Sequence, residues 1–345
     1  MSRSPTYGRN RRASPPRLTG LLLALGLVTA ACAGAGTPPS TTSPTSTDTV
    51  VVDAGAEPVG PVGTATIHED GWTTPIKLGF NDEGWEDSPY LTRDGRSLIF
   101  FYHPWPSLAT AGDELTELIL ADPEGAAAEG LDGALYVSDR PFSDKRLHPV
   151  SADGSPAFEC CAAVDARGRL FYVSNRAAWE QGADVTPGIY LDGRLLDIEV
   201  EGQPDNPYWC ELRDELWFDC PSDGDLCVMR RASAQGFAGP VEKAPYPVNA
   251  ANREAVQDSQ AFLTDDCDTL YLTSNRDDPD RLQIYRLYRL DEDGDEWSDP
   301  ELFISAPTHV AELSMTADGT ELAFAQVFWR EDGTPGIDIY WARRR

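Results

Sequence analysis

Positive charge is scarce in this sequence: 28 lysines and arginines stand against 57 aspartates and glutamates, a formal net charge of −29. Phosphate recognition needs a basic footprint, so nucleic acid is excluded as a partner, and cationic ligands, divalent metals or neutral glycans are left. The motifs GxSxG, HExxH and the glycine-rich phosphate loop are missing too, which removes the best-marked hydrolase and nucleotide chemistries. Paired CxxC spacing is absent, so no thiolate metal centre is assigned. Large apolar side chains nearly vanish from Ala33 to Glu69, a stretch of Thr, Ser, Pro, Gly and Ala. Such a segment cannot offset its own ordering entropy and reads as a tether. Treated as a flexible coil, about 38 residues reach roughly 30 to 40 Å.

What is present begins with an export signal. Arg3, Arg9, Arg11, Arg12 and Arg17 precede an uncharged, leucine-rich run from Leu18 to Ala31, and the first 31 residues hold no acid. The run is too short for a stable membrane span, and small residues follow it. Thr29-Ala30-Ala31-Cys32 resembles a bacterial lipobox, which would make Cys32 the lipidated first residue of the mature chain. Thr29 departs from the usual leucine, so ordinary cleavage and secretion are the alternative. Acyl chains on one cysteine hold a protein on a bilayer through about 0.8 kcal/mol per buried methylene. The expected organisation is a signal at 1–31, a lipidated cysteine and tether at 32–69, and a folded domain at 70–345. The expected location is the outer side of a bacterial membrane, with membrane contact through the anchor alone. Without the five leader arginines, 23 basic residues face 57 acidic ones, a charge of −34 that keeps an exported protein soluble.

Within the folded domain a single phrase recurs. It reads DSPYLTRDGRSLIFFY from Asp87, CAAVDARGRLFYVSNR from Cys161, DSQAFLTDDCDTLYLTSNR from Asp258 and ELSMTADGTELAFAQ from Glu312, with a weaker copy, NPYWCELRDELWFDC, from Asn206. Each copy is an apolar alternating run, a tight turn on Asp-Gly or its substitute, and a second β-rich run, the pattern of an antiparallel hairpin. Third strands follow at Ala134, Gly188, Asp225, Gln283 and Asp338. Outer strands follow at Lys145, Leu195, Phe237 and Trp297, but the fifth unit runs out of chain at Arg345. GWTTPIKLGF from Gly71 shares the Trp-x-x-Pro pattern of Trp297 to Pro300 and precedes the first unit. The fold class is therefore all-β, a single β-propeller of five four-stranded blades in which Trp72 to Leu78 completes the last blade. Closure of this kind removes the open sheet edge. Six blades is the alternative count if the insertion from Pro104 to Leu131, with its short helical pattern from Asp113, hides strands.

The Asp-Gly turns followed by Leu-Tyr-x-x-Ser-Asn-Arg, at Leu270 to Arg276 and nearly at Leu170 to Arg176, resemble the TolB-type, WD-like propeller repeats of bacterial envelope proteins. The resemblance covers about residues 71 to 345 and departs most in the third blade. It implies binding of proteins or envelope components and supports fold more than function.

Aligned on the turn, Glu86, Glu159 and Asp258 each stand eight residues ahead, while Asp205 and Glu312 are shifted by one or two places. All begin innermost strands, so they should gather at the mouth of the channel, where like charges raise one another's pKa unless a cation compensates. The bland alternative is that they cap amides or pair with Arg176 and Arg276. Tyr102, His103, Trp105, Trp179 and Trp329 lie in loops expected on the same face, and Trp85 precedes the first inner strand. Acids beside aromatics suit sugars, whose C–H faces stack on rings. The expected ligand set is Glu86, Asp87, His103, Trp105, Glu159, Trp179, Asp205, Asp258 and Glu312, with a lone loop histidine such as His103 more often facing solvent.

Two functions follow from these residues. One is an envelope binding protein that recognises a protein or cell-envelope glycan. The other is an arabinanase-like glycoside hydrolase with Asp87 as base, Glu159 or Glu312 as acid and Asp205 as modulator, for which the family's three-acid pattern is incompletely matched. No cofactor is expected. Calcium has a candidate loop in DEDGDEW from Asp291, but it lacks glycine at the sixth place and an acid at the twelfth, so it reads as a turn. Six cysteines besides Cys32 imply disulfides in an exported domain. Cys220 and Cys227 flank the turn PSDGD and are expected to pair, whereas adjacent Cys160 and Cys161 on a regular strand would face opposite ways and take different partners.

Overall fold

The repeated hairpin forms because its turn residues satisfy their own backbone. In Thr92 to Ser97, Asp94 Oδ1 accepts from the Thr92 hydroxyl at 2.8 Å and from the Arg96 N–H at 3.1 Å. Gly95 there adopts φ 67°, a left-handed conformation in which a Cβ is unfavourable. Asp266 and Asp318 repeat the same contacts in the fourth and fifth copies. Cys267, at φ 60°, takes the place of the glycine in the fourth copy and is joined by a disulfide to Cys210 of the neighbouring blade.

A computed structural model describes residues 57–58, 60–104, 133–152, 157–181, 187–221, 224–251, 256–291 and 296–345. The expected signal, Cys32, most of the tether, Trp105 and the helical pattern from Asp113 lie outside them. Two short strands, β1 (Thr66–Ile67) and β2 (Ile76–Lys77), come first and belong to blades built at the other end of the chain. Blade one holds β3 (Trp85–Leu91), β4 (Ser97–His103), β5 (Ala134–Asp139) and β6 (Arg146–Leu147). Blade two holds β7 (Glu159–Val164), β8 (Leu170–Ser174), β9 (Gly188–Leu191) and β10 (Arg194–Leu195), with a short helix α1 (Arg176–Gln181) after β8. Blade three holds β11 (Asp205–Cys210), β12 (Glu215–Asp219), β13 (Leu226–Arg230) and β14 (Glu242–Lys243). Blade four holds β15 (Asp258–Leu263), β16 (Thr269–Ser274), β17 (Gln283–Tyr288) and β18 (Glu301–Ser305). Blade five holds β19 (Val310–Met315), β20 (Glu321–Trp329) and β21 (Pro335–Arg343), and β2 pairs with β21 as its outer strand.

The protein is thus a five-bladed propeller stitched shut by its front segment, as the missing outer strand implied. Lys77 pairs with Tyr340, and Trp72 bridges to Arg344. A strand, β1, is already present ahead of the boundary placed at residue 70. β1 lies inside the segment read as tether and adds a fifth strand to blade four by pairing with β18.

The core fills the wedges between blades. Phe171 and Trp209 stack across blades two and three at 6.0 Å, and Trp217 meets Trp297 edge to face at 6.0 Å between blades three and four. Cys220 and Cys227 pair as expected. Cys160 and Cys161 do not take different partners: they are bonded to each other. The expectation of opposite faces assumed a regular strand, and Cys161 at φ 60° breaks the alternation with a bulge.

Candidate functional site

The acids at the aligned position have private partners. Asp258 receives Arg276 at 2.5 Å and the Ala250 N–H at 2.7 Å. Arg276 also reaches the Val248 carbonyl at 2.8 Å, and Asn275 Oδ1 accepts from the Gln257 N–H at 2.8 Å. The Ser-Asn-Arg phrase therefore ties the start of an inner strand to the outer loop of the preceding blade. Blade two repeats the device: Glu159 pairs with Arg176 at 2.5 Å, Arg176 reaches the Val150 carbonyl, and Asn175 Oδ1 accepts from the Phe158 N–H. Blade one has His103-Pro104 where Asn-Arg stands elsewhere. Glu86 takes Lys145 at 2.5 Å instead, and that lysine lies over the Tyr102 ring. Burial nonetheless pushes Glu86 up to about 7, outweighing the pull of Lys145.

One and two residues further along each inner strand the pattern changes. Ser88, Cys161, Asn206, Gln260 and Glu312 have φ between 48° and 60°, one left-handed, non-glycine residue per inner strand. At each of them the ladder register shifts, so five bulges ring the axis. Bulges re-aim side chains, and here they turn a column of polar groups into the channel. Two residues beyond, Tyr90, Tyr208 and Phe262 form an aromatic floor, with the Tyr90 hydroxyl on the Val164 carbonyl at 2.5 Å and the Tyr208 hydroxyl on the Leu263 carbonyl at 2.6 Å.

The polar column closes into a ring. The Ser88 N–H and hydroxyl donate to the Glu312 carboxylate at 2.7 and 3.0 Å, and the same hydroxyl lies 3.1 Å from Asp87 Oδ1. Gln260 Nε2 donates to Glu312 Oε1 at 2.9 Å, and its backbone N–H donates to Asp219 Oδ1 at 2.7 Å. Asn206 Nδ2 donates to Asp219 Oδ2 at 2.8 Å, and the Asn206 N–H to Asp205 Oδ1 at 2.8 Å. The Cys160–Cys161 disulfide fills the remaining arc, 3.9 Å from Asp205 Oδ1 on one side and 3.7 Å from the Ser88 hydroxyl on the other.

Four carboxyls are therefore buried together: Asp87, Asp205, Asp219 and Glu312. Among the described residues no Lys, Arg or His lies within ion-pair distance of any of them. Ser88 has one hydroxyl proton and two carboxylates beside it, so hydrogen bonding from this side chain leaves one of them unserved. Burial raises Asp87 to about 6 against the donors on Trp85 and Ser88. It raises Asp205 to about 7, helped by the charge of Asp87. Glu312 and Asp219 are pushed well above the usual carboxylate range by burial, with Asp87 and Asp205 adding to the first and Asp205 to the second.

Of the residues singled out by sequence, the structure brings Asp87, Asp205 and Glu312 together. It separates Glu86, Glu159 and Asp258 into the three paired corners. His103 is buried rather than solvent-facing, opposite Trp85 in the ladder, because it ends β4 instead of entering a loop. Trp85 is buried as well and donates to Asp87 Oδ2 at 2.6 Å. The side chain of Trp179, on α1, is outside the described residues. Sequence reasoning missed Ser88, Asn206, Asp219 and Gln260. A signal for three of them existed: in four copies a polar or small residue stands six places before the turn residue, at Ser88, Cys161, Gln260 and Glu312, with Asn206 as their counterpart in blade three. Asp219 lies on a second strand and carried no such mark.

No protein-family profile matches the chain, and no curated protein sequence does. Solved structures do. A thermostable family-43 glycoside hydrolase is similar over 78% of this chain and 92% of its own, at 11% identity and TM-score 0.47. A second glycoside hydrolase covers 82% and 92% at 11% identity and TM-score 0.44. A provisionally assigned TolB from Agrobacterium tumefaciens covers 78% and 94% at 11% identity and TM-score 0.40. At such identities the likeness concerns the propeller fold alone.

Proposed function

We propose that the protein is an exported, lipid-anchored propeller that binds an envelope protein or cell-envelope glycan on the face where its inner strands begin, without hydrolysing it. Three disulfides suit an oxidising, extracytoplasmic setting. The observation that carries the reading is the size of the channel cavity beside the carboxyl cluster, about 50 Å³. Sites for small organic ligands span roughly 300 to 1,000 Å³, so this one is sized for water or an ion and not for a sugar ring. Recognition then falls to the outer face. Strand direction puts Tyr246 and Trp329 there, 67% and 53% exposed. Rings of this kind offer stacking surfaces to sugars and anchors to proteins.

Hydrolysis is the second reading, favoured by the meeting of Asp87, Asp205 and Glu312. Asp87 Oδ1 and Glu312 Oε1 both contact the Ser88 hydroxyl, at 3.1 and 3.0 Å, so they are at most about 6 Å apart. An inverting pair needs roughly 6.5 to 9.5 Å to admit its water. The test is a panel of plant and microbial polysaccharides and envelope extracts, scored for saturable binding and for released reducing ends. Binding without turnover, weakened about ten-fold in the Trp329→Ala and Tyr246→Ala double variant, is expected. Reducing sugar released by the wild type and lost in Glu312→Gln would establish the hydrolase instead.

A further inference from the structure

The channel cluster has two properties that a closed structural network would lack. Its four carboxyls have no cationic partner among the described residues, and one acceptor in it is idle. Gln260 is more than nine-tenths buried and lines the cavity. Its Nε2 is committed to Glu312, which fixes the amide orientation and leaves Oε1 with no hydrogen-bond partner among the described residues. A buried carbonyl left unpaired costs about 1 to 3 kcal/mol, and native interiors rarely tolerate it. Gln260, Glu312 and Ser88 thus border one cavity, with the carboxyls of Asp87, Asp205 and Asp219 joined to them by hydrogen bonds.

We propose that this cavity is a binding site for a hard divalent cation of the calcium class, held by Glu312, Gln260 Oε1 and Ser88 Oγ and drawn in by the charge of Asp87, Asp205 and Asp219. The donors are all oxygen, the set that calcium and magnesium prefer. The sulfurs of Cys160 and Cys161 are tied to each other, so the ring offers no thiolate to a softer metal. A volume of about 50 Å³ admits an ion with one or two waters. Asp219 already accepts two hydrogen bonds and serves by holding Asn206 and Gln260 in place. The cation would supply the counter-charge that no side chain among the described residues provides and join three blades at the axis. The site is independent of which ligand the outer face takes.

The test uses the full chain, stripped with a chelator and titrated with calcium chloride, then with magnesium chloride, by calorimetry at pH 7.5. One saturable site is expected, together with a rise in Tm on adding the ion. Glu312→Gln and Gln260→Leu should each weaken binding at least ten-fold, whereas Glu331→Gln, in the exposed loop after β20, should leave it unchanged. Two substitutions are used because either alone could perturb folding, and Gln260→Leu keeps the cluster's charge. The proposal is overturned if the wild type shows no saturable uptake of either ion. It is equally overturned if both channel variants bind as the wild type does, since the ion would then sit on the acidic surface.

Discussion

Glu86, Asp87 and Asp205 are three of the side chains through which the stability of this protein depends on pH. Burial lifts them to about 7, 6 and 7, from ordinary values of 4.5, 3.8 and 3.8. Between about pH 4 and 7 the native chain holds protons that the unfolded chain has released, so the free energy of unfolding falls as pH rises. The stabilisation is complete below about pH 4 and disappears as pH passes through these raised values. In the absence of divalent ions, the urea midpoint should therefore be higher at pH 5 than at pH 8. A flat or rising midpoint would show that the three carboxyls are ionised throughout.

At the scale of the element, the repeat phrase explains itself as a clamp. Ser274 Oγ accepts from the Arg276 N–H, Asn275 holds the inner strand, and the arginine spans from Asp258 to the preceding loop. Both charges of that pair are almost fully buried, at 8% and 1% side-chain exposure. Removing either charge strands the other, so Arg276→Ala should cost about 3 to 5 kcal/mol in chemical denaturation. Arg93→Ala, which breaks the exposed pair with Asp265, should cost below about 1 kcal/mol. Equal losses would mean that the corner arginine is not a structural clamp. The phrase was legible because its residues are sequential. Lys145 as the substitute in blade one was not, because it arrives from an outer loop 59 residues after Glu86.

For the molecule as a whole, stability depends on the front segment closing the ring. A chain beginning at residue 57 should keep the size-exclusion profile and the Tm of the full chain. One beginning at residue 80 loses β1 and β2, which bares the edges of blades four and five. Exposed edges pair with other chains, so size-exclusion chromatography should show aggregates and the unfolding transition should broaden. A monomeric, sharply melting product would show that the ring holds without its closing strand.

Those outcomes separate two sources of information. Blade number, strand order and closure were written in the sequence, because hairpin turns, period-two alternation and a missing outer strand are local features that need no knowledge of distant contacts. The Cys220–Cys227 link was readable for the same reason. The identity of the channel ring was decided by tertiary structure. A left-handed residue in each inner strand interrupts the alternation from which facing is inferred, so Cys160 and Cys161 met each other, and Gln260 and Glu312 turned inward. Which acids are neutralised was also settled in three dimensions, since Lys145, Arg176 and Arg276 reach the outer corners and no such cation among the described residues reaches the axis.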